Sequence, residues 1–430
     1  MESGHDVLYC RLHFIRSSGV CGGVFMKNVL LLGFGKSNQA VYEFLKTKKV
    51  NITILEEHKK SKSLPFVTLE DLKKEKPLFD ITIRSPGIPL KSEAYQLAHV
   101  LSKEVISEIE FAYRYLKKKH PHYILITGTN GKTTLTTMIH CVLSSKLPHT
   151  FLAGNIGIPL SSYLLKDIPE HSIFVVEISS FQLEDTISLK ADDGIITNID
   201  YNHLDEVYNY DFYVASKKRM GFLVKKNHLF FYDEIKEISL PHINLSSIPM
   251  EEDDINLPFF MGEHNHRHVK MSLYIGTLYG ISKEEGARAL YQLMPLPFRN
   301  EKILSSFTAT IINDSKSTNV ASTNQCLLTF QDKKRILILG GIAKSATFDH
   351  LLLKKEDEVY AYGHDRELVK VSIERAHLFS TLEEVMLAIE PDLHKDVYIL
   401  FSPACSSYDQ FENYMVRGTY FRQLIKRLEP

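Results

Sequence analysis

Short apolar runs alternate with amphipathic stretches along most of this chain. Residues 29–32 (Val-Leu-Leu-Leu) read as a strand that runs into Gly33-Phe34-Gly35-Lys36-Ser37-Asn38. A helical stretch to Leu45 and a second strand over 51–55, ending at Glu56 and Glu57, complete a βαβ opening. A further strand over 78–83 ends in Ser85-Pro86-Gly87-Ile88-Pro89. From about Glu108 a second series begins, with strands over 123–126, 173–178 and 194–199 and helices near 211–223 and 266–279. Pro295 and Pro297 mark the passage to a third series. There, strands near 303–313, 335–339, 357–361 and 396–401 alternate with helices near 320–329, 366–375 and 381–389 and a final helix. Alternating β and α with strands apolar on both faces predicts parallel, doubly wound sheets. The expected fold is α/β in three domains: a Rossmann-like unit over 26–107, a central P-loop ATPase-type unit over 108–297, and a Rossmann-like unit over 298–430.

Composition narrows the function classes. At 430 residues, with 44% hydrophobic and 24% charged residues, the chain is an ordinary globular one, too long for a single core. With 51 Lys and Arg against 52 Asp and Glu, nothing points to nucleic acid or to an anionic membrane. The five cysteines, Cys10, Cys21, Cys141, Cys326 and Cys405, are scattered without metal-type pairing and read as free thiols of a reducing compartment. No apolar stretch is long enough to cross a bilayer, and His13 and Arg16 interrupt any signal-peptide core. Residues 1–25 are expected to be an extension or a misassigned start, with Met26 opening the folded body.

The most informative segment is Gly128-Thr129-Asn130-Gly131-Lys132-Thr133-Thr134, between a strand and a helix. Glycines permit close backbone approach, and free N–H groups at a helix start favour an anion. Lys beside a polyphosphate and Thr beside Mg²⁺ divide the remaining work, so the segment predicts ATP binding although its spacing is shorter than the common phosphate loop. The Gly33-x-Gly35 turn lacks a third glycine, which disfavours a hydride-transfer cofactor. It reads either as a site for another phosphate-bearing ligand or as a structural turn. Likewise the loop at 85–89 is either a ligand loop or a plain Pro-Gly turn. Glu177 ends an apolar strand and either holds Mg²⁺ or is a surface acid. Beyond the next strand, Asn198 to Asp205 cluster polar groups including His203. Lys217, taken alone, reads as a solvated helix position. In the third series, Asn313 to Asn319, Gly340 to Ser345 and Ser402 to Ser407 each follow a strand and together predict one rim for a compact anionic substrate.

Together these segments resemble the Mur ligase family of ATP-dependent amide ligases, in order, from about Met26 to the end. The segments 128–134 and Gly262-Glu263-His264-Asn265 are common to the wider family. Glu177-Ile178-Ser179-Ser180-Phe181-Gln182-Leu183 and residues 402–411 match its D-glutamate-adding branch. The resemblance implies a bacterial, cytoplasmic, monomeric enzyme of peptidoglycan synthesis. ATP would phosphorylate the carboxylate of UDP-N-acetylmuramoyl-L-alanine, and the amine of D-glutamate would then attack the acyl phosphate. It implies nucleotide contacts from residues 128–134, Asn265, Arg299 and Asp314. It also implies two Mg²⁺ near Thr133, Glu177, His203 and Lys217, with Lys132, Glu177, His203 and Lys217 serving catalysis. Lys217 would be carbamylated, since an ammonium repels Mg²⁺; an ungapped alignment from His203 selects Lys218 instead. Gly35, Ser37, Asn38, Ser85 and Gly87 would hold the UDP part, and Asn155, Gln182 and Lys316 the sugar and alanyl part. Thr318, Lys344, Ser407 and Tyr414 would hold D-glutamate.

The chain departs from the family at Asn202, His268, Phe298, Ile342, Ala343 and Tyr414, and Glu56-Glu57-His58 lacks a clear uracil-binding pair. Another amide ligase of the family, a folylpolyglutamate-type ligase, or a relative that binds ATP without catalysis are the competing readings.

Overall fold

The computed structural model describes residues 26–56, 64–199, 210–232, 234–247, 262–293, 296–344 and 347–429. Among them, seventeen strands form three sheets. The first contains β1 (Asn28–Leu32), β2 (Asn51–Leu55), β3 (Phe66–Val67), β4 (Ile81–Arg84) and β5 (Val105–Ser107), in the order β3-β2-β1-β4-β5 and parallel throughout. The central sheet contains β6 (His122–Thr127), β7 (Thr150–Gly154), β8 (Ile173–Glu177), β9 (Asp193–Ile196), β10 (Leu229–Phe231) and β11 (Ile243–Asn244). Its order is β11-β10-β9-β6-β8-β7, again all parallel. The third contains β12 (Glu301–Ile303), β13 (Thr310–Asn313), β14 (Arg335–Gly340), β15 (Glu358–Tyr362), β16 (His377–Leu378) and β17 (Tyr398–Phe401). Here the order is β12-β13-β17-β14-β15-β16, with only β12 antiparallel.

Apolar residues pack on both faces of every sheet. Val29, Leu31 and Ile83 face one core and Leu30 and Leu32 the other; in the centre Leu125 and Val176 oppose Ile124, Ile126 and Val175. This is why the strands read as continuous apolar runs rather than alternating ones. It also fixes where ligands approach. Both faces are covered, so only the strand ends are open, and strand order reverses beside β1 and beside β6.

Several expected elements are cut differently. The run at 303–313 is two strands, β12 and β13, because the chain turns back over residues 304–309 and Glu301–Ile303 pairs antiparallel with residues 311–313. The strand expected over 78–83 begins only at Ile81. Pro77 offers no N–H, and Asp80 turns its carboxylate to the amides of Lys27 and Asn28 at 2.8 and 3.1 Å. The helix near 211–223 is two pieces, Tyr210–Lys218 and Met220–Leu223.

The first and central sheets are joined by a shared helix and a buried ion pair. In helix Glu108–Leu116, Phe111 packs into the first core while Ile109, Ala112 and Leu116 pack into the central one. Arg84, at the end of β4, pairs with Asp185 and donates to the carbonyls of Phe181 and, at 3.0 Å, Ile88; Tyr95 donates to the same carboxylate at 3.0 Å. Removing one partner leaves a buried charge unpaired, so Asp185→Ala is expected to cost about 3–5 kcal/mol. Chemical denaturation would read the loss, and an unchanged midpoint would show that water replaces the carboxylate.

Candidate active site

β6 passes directly into Gly128-Thr129-Asn130-Gly131 and helix Lys132–Ser144. The neighbouring strand shapes this loop. Asn198 Oδ1 accepts the amides of Thr129 and Asn130 at 3.1 and 2.8 Å, and Thr197 Oγ1 donates to the Asn130 carbonyl at 2.6 Å. That explains why β9 stops at Ile196 and not at the expected residue 199: the next side chains serve the loop. Gly131 has φ +79°, and a Cβ there would stand 2.5 Å from the His268 imidazole. The loop is thus held in place by the neighbouring strand, and the helix start beside it is one that favours an anion.

Lys132 Nζ donates to its own loop's Gly128 and Thr129 carbonyls, each at 2.8 Å. Burial pushes its pKa down, and Glu177 partly offsets this. Thr133 Oγ1 donates to one oxygen of Glu177 at 2.8 Å, and Asn155 Nδ2 to the other at 2.8 Å. Glu177 is therefore a fixed carboxylate at the end of β8, beside a hydroxyl.

Lys217 lies opposite on helix Tyr210–Lys218, and only 1% of it is exposed. Its Nζ sits 4.4 Å from the centre of the Tyr213 ring, whose hydroxyl is 2.8 Å from Thr129 Oγ1. Helical spacing of four residues stacks the two side chains on one face. Burial, then repulsion from Lys132, holds the Lys217 pKa well below its ordinary value. Lys218 is exposed. A buried amine kept neutral is a nucleophile; a solvated ammonium is not.

The third sheet closes the other wall. The three loops following β13, β17 and β14 are spatial neighbours, as the rim expectation required. Asp314 accepts from Ser317, from Ser402 at 2.7 Å and from the Asn300 amide at 3.2 Å, and burial pushes its pKa up to about 6. Lys316 Nζ lies 4.3 Å from the centre of the Tyr414 ring, and burial with repulsion from Arg299 and Lys132 pushes its pKa down to about 7. Lys344 Nζ reaches Thr318 Oγ1 at 3.4 Å. His264 and His268 are held neutral, their pKa values pushed to about 4 and about 3, chiefly by burial.

These walls bound a cleft of about 440 Å³. It gathers Gly87, residues 128–134, Asn155, Glu177, Lys217, Asn265, Arg299, Asp314, Lys316, Thr318 and Lys344. Lys132, Arg299, Lys316 and Lys344 face two carboxylates there, Glu177 and Asp314, each already bonded on both oxygens, so the cleft favours a polyanion. Gly35, Ser37, Ser85, Ser407 and Tyr414 do not line it. The first three stand at the crevice between β1 and β4, where strand order reverses. Asn38 and Gln182, expected to touch substrate, are internal. Asn38 Nδ2 ties together the carbonyls of Leu32, Gly33 and Ile83 at 3.2, 2.8 and 3.0 Å. Gln182 Oε1 accepts from the amide and hydroxyl of Ser179, both at 3.0 Å, as a helix cap. Both set loop shape from beneath. His203 and Asn202 lie outside the described residues, as do Glu57, His58 and residues 1–25.

Residues that the sequence reading did not assign to the site also line the cleft. Tyr213, Asn300, Asn319, Ser322 and Gln325 face it, as does His268, whose ring lies over the phosphate loop. Only the i, i+4 spacing of Tyr213 and Lys217 carried a signal. Phe298 packs 4.5 Å from the Arg422 guanidinium, a pairing between distant parts of the chain.

The Mur ligase middle domain family matches residues 126–248. Over 418 residues the chain is 30% identical to a UDP-N-acetylmuramoylalanine–D-glutamate ligase of Francisella philomiragia, covering 94% of this chain and 98% of that one. It is 30% identical, with the same coverage, to an enzyme of that name from Haemophilus influenzae. Among solved structures, UDP-N-acetylmuramate-alanine ligase from Thermotoga maritima superposes with a TM-score of 0.59 at 15% identity, over 94% of this chain and 99% of that one. A pseudomurein peptide ligase from Methanothermus fervidus gives 0.58 at 17%, over 94% and 100%. At such identities the structural likeness concerns the fold alone.

Proposed function

The chain belongs to the Mur ligase family of ATP-dependent amide ligases, and from that premise we propose that it joins D-glutamate to UDP-N-acetylmuramoyl-L-alanine. The reading places it in the bacterial cytoplasm, in peptidoglycan precursor synthesis. One observation carries it: the phosphate loop, Glu177 and Lys217 face Lys316, Thr318 and Lys344 across a single cation-rich cleft. A carboxylate is a poor electrophile, and ATP, the acceptor carboxylate and D-glutamate are all anionic, so an enzyme that joins them needs this convergence of cations. One sheet in each supports the working division into units over 26–107, 108–297 and 298–430.

In the mechanism we infer, the amides at the start of helix Lys132–Ser144 and the Lys132 ammonium hold the β- and γ-phosphates. The substrate carboxylate attacks the γ-phosphorus and ADP departs. The deprotonated amine of D-glutamate then attacks the acyl carbon, forming the C–N bond as phosphate leaves. Closure of the cleft around both steps excludes water, which would otherwise hydrolyse the acyl phosphate. Arg299, Lys316 and Lys344 balance the accumulating charge, and Thr318 with Lys344 suits a carboxylate.

Among the described residues no three His, Cys, Asp or Glu side chains gather for a metal. The donors beside the loop nonetheless fit Mg²⁺: a Thr133 hydroxyl and a Glu177 carboxylate 2.8 Å apart, both oxygen ligands. Mg²⁺ is commonly held by one or two carboxylates together with substrate phosphates, and when bound it supplies positive charge at the phosphate oxygens. A carbamate on Lys217 adds a further anionic oxygen. It forms when the neutral amine attacks CO₂, creating one C–N bond and releasing one proton.

ADP release is expected only when UDP-N-acetylmuramoyl-L-alanine and D-glutamate are both present. An assay panel that replaces D-glutamate with L-alanine, L-glutamate or diaminopimelate tests this. Turnover with one of those and none with D-glutamate would reassign the chain within the family.

A further inference from the structure

Arg417 lies on the last helix, Tyr414–Leu428, and its side chain is completely buried. Its donors reach three different loops of the third sheet. Nε donates to Ser315 Oγ at 3.1 Å and Nη2 to the Ser315 carbonyl at 2.8 Å, after β13. Nη1 donates to the Cys405 carbonyl at 3.0 Å, after β17, and to the Gly340 carbonyl at 3.2 Å, at the end of β14. Among the described residues, none of these bonds goes to a carboxylate. Burying a guanidinium on neutral oxygens alone is costly, so it needs a geometric return.

That return is the spacing of the loops. Two of them carry, within four residues of the contact with Arg417, a side chain that lines the cleft, Thr318 and Lys344, and the third carries Ser407, which does not line it. Two of the loops are already zipped together, with Ile342 N to Ser406 O at 2.9 Å and Ser406 N to Ile342 O at 2.8 Å. Gly341 makes the approach possible: its φ is +124°, and a Cβ would stand 2.0 Å from the Ser406 carbonyl oxygen and 3.2 Å from Arg417 Nη1. Ser315 Oγ also donates to the Tyr414 carbonyl at 2.9 Å, tying the third loop to the start of the same helix. A planar fork with divergent donors can hold three backbone segments at once; a lysine ammonium, a point charge on a flexible stem, cannot fix their angles.

We propose that Arg417 is a positioning residue for the acceptor: it sets the spacing of the three loops so that Thr318 and Lys344, which line the cleft, converge on one small dicarboxylic amino acid. The inference rests on reading D-glutamate as that acceptor. The test uses the full chain, as wild type, Arg417→Lys and Ser315→Ala, with KM measured separately for ATP and D-glutamate alongside thermal unfolding. Arg417→Lys is expected to raise the D-glutamate KM by about 10- to 100-fold while the ATP KM holds, because a site loosened by roughly 1 Å loses that much. Ser315→Ala, which removes one acceptor of the fork, should shift the same constant in the same direction by less. An unchanged D-glutamate KM in Arg417→Lys overturns the proposal, as does a rise in both constants in proportion. If Arg417→Lys does not fold, a wild-type D-glutamate KM in Ser315→Ala overturns it. Absence of D-glutamate-dependent ADP release in the wild type would instead overturn the assignment of D-glutamate. The same comparison is then made with whichever amino acid supports turnover.

Discussion

Lys132→Ala is expected to abolish ligation while leaving the fold intact. The ammonium is held by its own loop, with 2.8 Å bonds to the Gly128 and Thr129 carbonyls, so it stands ready at the helix start where the transferring phosphate would lie. The other cations of the cleft, Arg299, Lys316 and Lys344, come from the third sheet's side, and Lys217 on a neighbouring helix is held neutral. None can take up the same position on a phosphate held by the loop. Loss of one such electrostatic contact is worth roughly 3–4 kcal/mol at the transition state, or two to three orders of magnitude in turnover. Stability should change little or rise, since a buried cation is removed from carbonyl ligands that can be hydrated instead. Single-turnover ADP formation would measure the effect, and near-normal turnover would mean that the loop does not hold the transferring phosphate.

Lys217→Ala should be about 10- to 100-fold less active, because the carbamate that would orient the metal is lost with the amine. The loss alone is weak support, since many substitutions inactivate. The informative result is rescue. A short carboxylic acid such as acetate or formate can occupy the vacated space beside Tyr213 and restore an anionic oxygen, so activity should climb with its concentration. The depressed pKa favours the neutral amine that carbamylation requires, and its cause is burial followed by the Lys132 charge. An ordinary structural lysine would show loss without rescue. Lys218→Ala should behave as wild type, because that side chain is exposed; inactivation there with Lys217→Ala still active would reverse the assignment.

The phosphate loop was legible in sequence because its chemical signature is local: a strand, glycines at fixed offsets, and Lys and Thr at the helix start. The rim of the third sheet was legible for a related reason, since strand ends carrying small polar residues mark open edges when sheets are buried on both faces. Strand boundaries were less so. Thr197 and Asn198 fall inside the expected strand, yet their side chains hold the loop of another strand. Asn38 and Gln182 have the types of substrate-binding residues and sit in the right segments, but both are buried, with Asn38 Nδ2 on three carbonyls and Gln182 Oε1 on the amide and hydroxyl of Ser179. His268 could not be placed at all until folding set its ring against Gly131, more than a hundred residues away in sequence.

The sequence by itself determined the three alternating β and α series, the parallel character of the sheets, and the phosphate loop with its Lys132 and Thr133. These depend on periodicity and short-range chemistry, which a linear string retains. Only the tertiary structure decided that Lys217 and not its neighbour is buried, that Glu177 is fixed between Thr133 and Asn155, and that Arg417 binds three loops through their carbonyls. Each of those facts depends on burial or on contacts between segments far apart in the chain. Desolvation and convergence arise from packing, and no local pattern of residues encodes them.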